Sequence, residues 1–189
     1  MSTAQDNQAW ALCLSRRRVL LAGASLLAAS AVKAAGANGS LVEVEEYSAR
    51  GQSQGIHKLG RVVKSDADWR KQLSPLAYQV TRKAATERAG SGQYAQFHGD
   101  GLYRCICCNT ALYDSRTKFE SGTGWPSFWK PISKFNVMEA RDDALGMERN
   151  EISCTLCDAH LGHVFDDGPR PTGLRYCMNS VALNFVSRG

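Results

Sequence analysis

Four of the chain's seven cysteines form two matched pairs, Cys105-x-x-Cys108 and Cys154-x-x-Cys157, with residues 109–153 between them. Two residues between thiolates let one tight turn aim both sulfurs at a common point. A second such turn completes the tetrahedral four-sulfur shell that zinc prefers. That shell has no open position for water or substrate, so the spacing predicts a structural metal and not a catalytic one. Two disulfides are the competing reading, and the knuckle-like pairing favours metal over it. The gap between the pairs exceeds the roughly 15–20 residues of a compact zinc ribbon, so the metal is expected to clip together elements of a larger fold. Cys107 fits the first turn poorly as a ligand and reads as a bystander thiol. Cys13 lies in an N-terminal leader. Cys177, in Gly173-Leu-Arg-Tyr-Cys-Met-Asn-Ser180, is left over, and as a thiolate it would be a nucleophile.

The leader carries Arg16, Arg17 and Arg18, then a mild apolar run from Val19 to Val32, then Lys33-Ala-Ala35. A charged start, a short apolar stretch and small residues at its end predict a cleavable twin-arginine export signal over residues 1–34. The apolar run is shorter than the ~20 residues a spanning helix needs, so no stable membrane insertion is expected after cleavage. Cleavage is expected after Ala34, with Ala31 as the rival, and the product is expected in the periplasm. Export of a folded chain lets thiolates load metal in a reducing cytoplasm before they meet an oxidising compartment. Removing the leader leaves 19 basic and 17 acidic residues, so the net charge falls from +5 to +2. With no Lys/Arg stripe, nucleic acid is not an expected partner.

Residues 35–64 are rich in Gly, Ser, Gln and charge and predict a flexible linker or arm ahead of one domain over residues 65–189. Two short helices are expected at its entrance. Ser65-x-x-Asp68 resembles a capping box before Trp69 to Leu73, and Ser74-Pro75 places proline at the first position of a helix running to about Lys83. Beyond Tyr103 the pattern is strand and loop, with β-rich runs at 134–139, 148–153, 163–166, 174–178 and 181–186 broken by Gly, Pro and Asp. The predicted fold is mainly β, with twisted antiparallel sheets, a few short N-terminal helices and the four-cysteine metal site.

Spacing also groups polar residues around Cys177. Arg175 and Asn179 lie two residues to either side, hence on one face of a strand, where a guanidinium would depress the thiol pKa and an amide would donate a hydrogen bond. His160 and His163 form an H-x-x-H pair that reads equally as two structural histidines or as candidate proton donors. A zinc-hydrolase reading is weaker, because the helical H-E-x-x-H setting and a third ligand are missing.

Three motifs in one order, Lys118-Phe-Glu-Ser-Gly-Thr-Gly-Trp-Pro-Ser-Phe128, His160-Leu-Gly-His-Val-Phe165 and Arg175-Tyr-Cys-Met-Asn-Ser180, together with both cysteine pairs, closely resemble the type B methionine sulfoxide reductases. The resemblance covers roughly residues 65 to 186. It implies a structural zinc and thiol-dependent reduction of the R epimer of methionine sulfoxide in peptides and proteins, with no organic cofactor. It also implies that His160, His163 and Asp167 belong to the pocket, although Asp167 alone reads as a turn residue before Gly168-Pro169. Trp125 and Phe128 would form the apolar wall around the S-methyl group. By composition alone both read as core, and the resemblance moves Trp125 to the pocket more firmly than Phe128.

Attack of Cys177 on the sulfoxide sulfur would leave a sulfenic acid that must be reduced. Many of the similar proteins carry a resolving cysteine where this chain has Thr123. The expected cycle therefore uses one cysteine, with a small thiol or a thioredoxin-like protein as electron donor. Ala182, where a serine is common, is a smaller departure. The rival readings are a non-catalytic zinc-stabilised module that binds peptides or proteins, and a disulfide oxidoreductase built on one C-x-x-C pair.

Overall fold

The computed structural model describes residues 40–142 and 149–188, which belong to one compact unit, Gly36–Gly189. The expected export signal lies outside the described residues. The two helices form where their caps predict. In α1 (Asp66–Gln72) the Ser65 hydroxyl accepts from the Asp68 amide at 3.2 Å, and in α2 (Pro75–Lys83) Ser74 does the same for Ala77 at 3.2 Å. Proline opens α2, and Ala84 closes it in the left-handed region at φ 52°.

Residues 41–60 form a hairpin, which corrects the expected flexible arm. Strand β1 (Leu41–Tyr47) pairs antiparallel with β2 (Ser53–Gly60). Its Gly- and Gln-rich stretch is the connecting turn, where Gly51 takes φ 76°. The order comes from distant partners. Val44 is buried, and Asn136, itself fully buried, accepts from the Glu45 amide and donates to the Glu45 carbonyl, both at 2.8 Å. Arg104 binds the Tyr47 carbonyl at 2.7 Å.

Nine further strands make up two antiparallel sheets. In the smaller, β3 (Gly101–Cys105) lies between β4 (Ala111–Asp114) and β11 (Leu183–Ser187). The larger contains β5 (Lys118–Phe119), β6 (Ser127–Phe128), β7 (Val137–Asp142), β8 (Arg149–Cys154), β9 (His160–Phe165) and β10 (Arg175–Met178), in the order β5-β6-β10-β9-β8-β7. The strands expected from the β-rich runs correspond to β7 to β11 with ends shifted by up to three residues. The mainly β, antiparallel fold with two short helices is as expected. Leu102, Tyr103, Leu112, Tyr113, Phe128, Ile152, Leu161 and Met178 fill the core, and α2 closes it with Tyr78 and Val80.

Candidate active site and metal centre

The two cysteine pairs sit on the same turn built twice. Cys105 ends β3, and its amide bonds to the Thr110 carbonyl at 2.8 Å while Asn109 donates back to the Cys105 carbonyl at 2.8 Å. Cys154 ends β8 with matching bonds to Ala159 and from Asp158, both at 2.9 Å. Asn109 and Asp158 hold matching left-handed conformations, φ 65° and 55°, which these residue types tolerate better than most. The turns bring the sulfurs of Cys105, Cys108, Cys154 and Cys157 within 4.8 Å of one another, with Cys105–Cys157 at 3.6 Å and Cys108–Cys154 at 3.5 Å. Four thiolates at about 2.3 Å from a tetrahedral zinc are about 3.8 Å apart, so the residues fit one metal ion of that kind. Cys107 is buried and stands outside the group of four.

A second cluster crosses the larger sheet. Register pairs Phe119 with Ser127, Ser127 with Cys177, Cys177 with His163, and His163 with Glu151. Directly opposed residues share a face, so these side chains form one row. The alternate positions Phe128, Tyr176 and Val164 form the next row and turn into the core. Phe128 is fully buried, stacked on Tyr113 at 4.4 Å between ring centroids. This corrects its expected place at the substrate: strand parity sends it away from Cys177.

His160 and His163 are three apart and would fall on opposite faces of a regular strand. A bulge at Leu161 changes this: Ser153 pairs with His160 while Ile152 pairs with Gly162. Both rings therefore reach one face, 5.4 Å apart, edge to face. Gly162 makes the close approach of β9 and β10 possible, because a Cβ there would meet the Cys177 carbonyl oxygen at 2.1 Å. His160 is buried, its Nδ1 lies 2.6 Å from Glu151 Oε1, and its buried Nε2 has no partner among the described residues.

Cys177 is half-buried at a cavity of about 190 Å³ lined also by Trp125, His163, Phe165, Gly162, Asn179 and Thr86. Thr123 Oγ1 lies 3.8 Å from its sulfur and bonds to Ser121, which bonds to Ser127, at 2.8 and 2.7 Å. Burial pushes the thiol up, and Thr123, Arg175 and Ser127 pull it down by less. Arg175 thus lowers the thiol as expected, but burial outweighs it. Arg175 is engaged elsewhere, in a bidentate pair with Asp167 at 2.8 and 2.7 Å and over the Phe165 ring at 4.3 Å. The Arg175 guanidinium holds the Asp167 carboxyl below its ordinary range.

Asn179 lies just past β10 as the cap of a 3-10 turn, Ser180–Ala182. Its Nδ2 donates to the Leu161 carbonyl at 3.1 Å and its Oδ1 accepts from the Glu87 amide at 3.0 Å, so the amide fastens the site as well as lining it. The Trp125 indole N–H donates to the Glu87 carbonyl at 3.2 Å, which fixes that wall of the cavity.

The SelR domain family matches residues 73–187. The chain is 55% identical over 125 residues to the peptide methionine sulfoxide reductase MsrB of Herminiimonas arsenicoxydans, covering 66% of this chain and 91% of that protein. The enzyme of the same name from Pseudomonas fluorescens Pf0-1 is 55% identical over 128 residues, covering 68% of this chain and 98% of that one. That of Pseudomonas savastanoi is 53% identical over 130 residues, with 69% and 99% covered. The chain belongs to the type B methionine sulfoxide reductases. It is thereby an oxidoreductase, and the two rival readings fall away.

Within this reductase the structure brings Cys177, His163, Trp125 and Asn179 to one cavity, with Arg175 on the same face and His160 against His163. Asp167 and Arg175 instead line a neighbouring open cavity with Thr123. Sequence reasoning missed Phe165, Glu87 and Glu151. Phe165 had a readable signal, two residues from His163 on the same strand face. Glu87 lies in an irregular segment with no pattern, and Glu151 is placed by cross-strand register alone.

Proposed function

We propose that the protein reduces the R epimer of methionine sulfoxide in peptides and proteins through a single reactive cysteine. The observation that carries this is the position of Cys177, directly across the ladder from His163 at a cavity walled by Trp125 and Phe165. The aromatic faces suit the S-methyl group. The Cys177 thiolate attacks the sulfoxide sulfur while a protonated histidine gives its proton to the oxygen. The sulfur–sulfur bond so formed and the substrate's sulfur–oxygen bond both break as the protonated oxygen passes to the Cys177 sulfur, which leaves a neutral sulfenic acid and releases reduced methionine. An external thiol then attacks the sulfenic sulfur, releases water and forms a mixed disulfide, and a second thiol restores Cys177.

Thr123 supports external resolution, since a hydroxyl stands 3.8 Å from the sulfur and cannot form a disulfide. Cys107 is buried at the turn that carries Cys105 and Cys108. The donor is a small thiol or a thioredoxin-like protein. Bound zinc would be held by Cys105, Cys108, Cys154 and Cys157 and would fix the turns at the ends of β3 and β8. Residues 1–34 would direct twin-arginine export to the periplasm, and lysine at Arg16, Arg17 and Arg18 would leave the protein cytoplasmic on cell fractionation.

The deciding assay supplies dithiothreitol and separated R and S epimers of a methionine sulfoxide peptide to wild type and Cys177→Ser. R-specific turnover lost in the variant is expected. No R turnover by wild type would sink the reading, and an internal Cys107–Cys177 disulfide after stoichiometric oxidation would sink the one-cysteine cycle.

A further inference from the structure

Glu151 belongs to none of the three sequence motifs, yet it stands where the reacting face of the sheet can be controlled. It lies directly opposite His163 on the neighbouring strand, and its carboxylate reaches across to His160 Nδ1 at 2.6 Å. The contact joins a partly exposed carboxylate to a buried imidazole, with side-chain exposures of 35% and 5%. A carboxylate oxygen accepts only, so Nδ1 must be the nitrogen that carries hydrogen, whether His160 is neutral or charged. The other nitrogen, Nε2, is buried and has no hydrogen-bond partner among the described residues. Buried ring nitrogens are nearly always satisfied, so an unsatisfied one beside a reactive row is a group held ready for a ligand atom. The Leu161 bulge is what turns His160 to this face, against the His163 ring that faces Cys177.

We propose that Glu151 is a positioning residue for the reaction at Cys177: by accepting the Nδ1 hydrogen of His160 it makes Nε2 the nitrogen through which the two histidines exchange a proton with the sulfoxide oxygen. The step is the one written above, in which a proton passes from imidazolium to the sulfoxide oxygen as the Cys177 thiolate attacks the sulfur. Glu151 touches neither substrate nor the sulfur. It acts through the ring that it orients, as a carboxylate does wherever it selects one histidine tautomer over the other. The inference rests on methionine sulfoxide reduction as the activity.

The test uses the full metal-loaded protein. Imidazole ¹H–¹⁵N correlation spectra read the tautomer of His160, and single-turnover oxidation of Cys177 by an R-sulfoxide peptide reads the chemical step. In Glu151→Ala the Nδ1–H form gives way to Nε2–H. The saturating rate then falls about 10- to 100-fold, a share of the 10²–10⁴ that a positioned acid supplies, while KM stays within about threefold. In the isosteric Glu151→Gln the rate follows whatever Nδ1–H population remains, and this variant carries the comparison if metal content or circular dichroism shows Glu151→Ala unfolded. A shifted tautomer with an unchanged rate overturns the proposal. So does an unshifted tautomer in the folded variants, or a loss confined to KM. Wild-type turnover in the same assay separates these outcomes from failure of the activity itself.

Discussion

Glu87 is the residue whose removal should cost the most for the least visible reason. It is 2% exposed, and its two carboxylate oxygens accept from Ser180 N at 2.6 Å and Val181 N at 3.0 Å, the opening amides of the 3-10 turn that follows Cys177. Bonds to a charged acceptor contribute about 1.5–3 kcal/mol each, and Glu87→Ala removes both while leaving two amides without partners. The loss should be about 3–5 kcal/mol, close to that of breaking a buried charge pair. For a domain of this size that is a fall of roughly 10 °C in melting temperature, at about 2–4 °C per kcal/mol. Glu87→Gln keeps one acceptor and turns an amino group toward the other N–H, so it should lose about 2 kcal/mol. Because the Glu87 backbone also holds the Trp125 indole and the Asn179 amide, KM should rise in both variants. Urea unfolding followed by tryptophan fluorescence, with the slope compared between proteins, measures the first effect and steady-state kinetics the second. A loss below about 1 kcal/mol for Glu87→Ala at unchanged slope would refute the reasoning.

Burial holds the Cys177 thiol above its ordinary range, so alkylation of Cys177, taken as the difference from Cys177→Ser, should climb with pH through a midpoint above the ~8.5 of a free thiol. The same sign means that folding stability drops as pH rises past the unfolded thiol's value, and Arg175→Met should move the midpoint further up; a midpoint below about 8 contradicts this. Metal content by elemental analysis should be one zinc per chain, lost in Cys105→Ser with a large drop in melting temperature and kept in Cys107→Ser. Phe128→Ala should cost about 3–5 kcal/mol in unfolding titrations, whereas Trp125→Ala should act mainly on kcat/KM, and the opposite pattern would place the two rings wrongly.

What a sequence makes legible depends on how far away the partners are. The caps at Ser65 and Ser74 are complete within three residues, and both helices begin where those hydroxyls predict. The metal set is legible because each pair needs only its own turn. The hairpin at 41–60 has no such local warrant. Its order rests on Asn136, Arg104 and the buried face of Val44, and its composition alone resembles an arm. Phe128 fails for a subtler reason, since it sits in a motif otherwise devoted to the cavity but has the wrong parity on β6. Arg175 does lie near Cys177 as the two-residue spacing implies. Spacing says nothing of Asp167, which takes both prongs of the guanidinium.

One hairpin joins the four-cysteine cluster to the reacting row. The turn that holds Cys154 and Cys157 is the connection between β8 and β9. Glu151 lies three residues before its first sulfur and His160 three residues after its second, so the Glu151–His160 contact spans the base of that loop. The bulge at Leu161 follows at once and decides which face both histidines take. A four-sulfur shell that fixed this turn would also fix the register that sets Glu151 opposite His163, without any bond from metal to substrate. A metal held by these four sulfurs would bear on the reacting row through strand register.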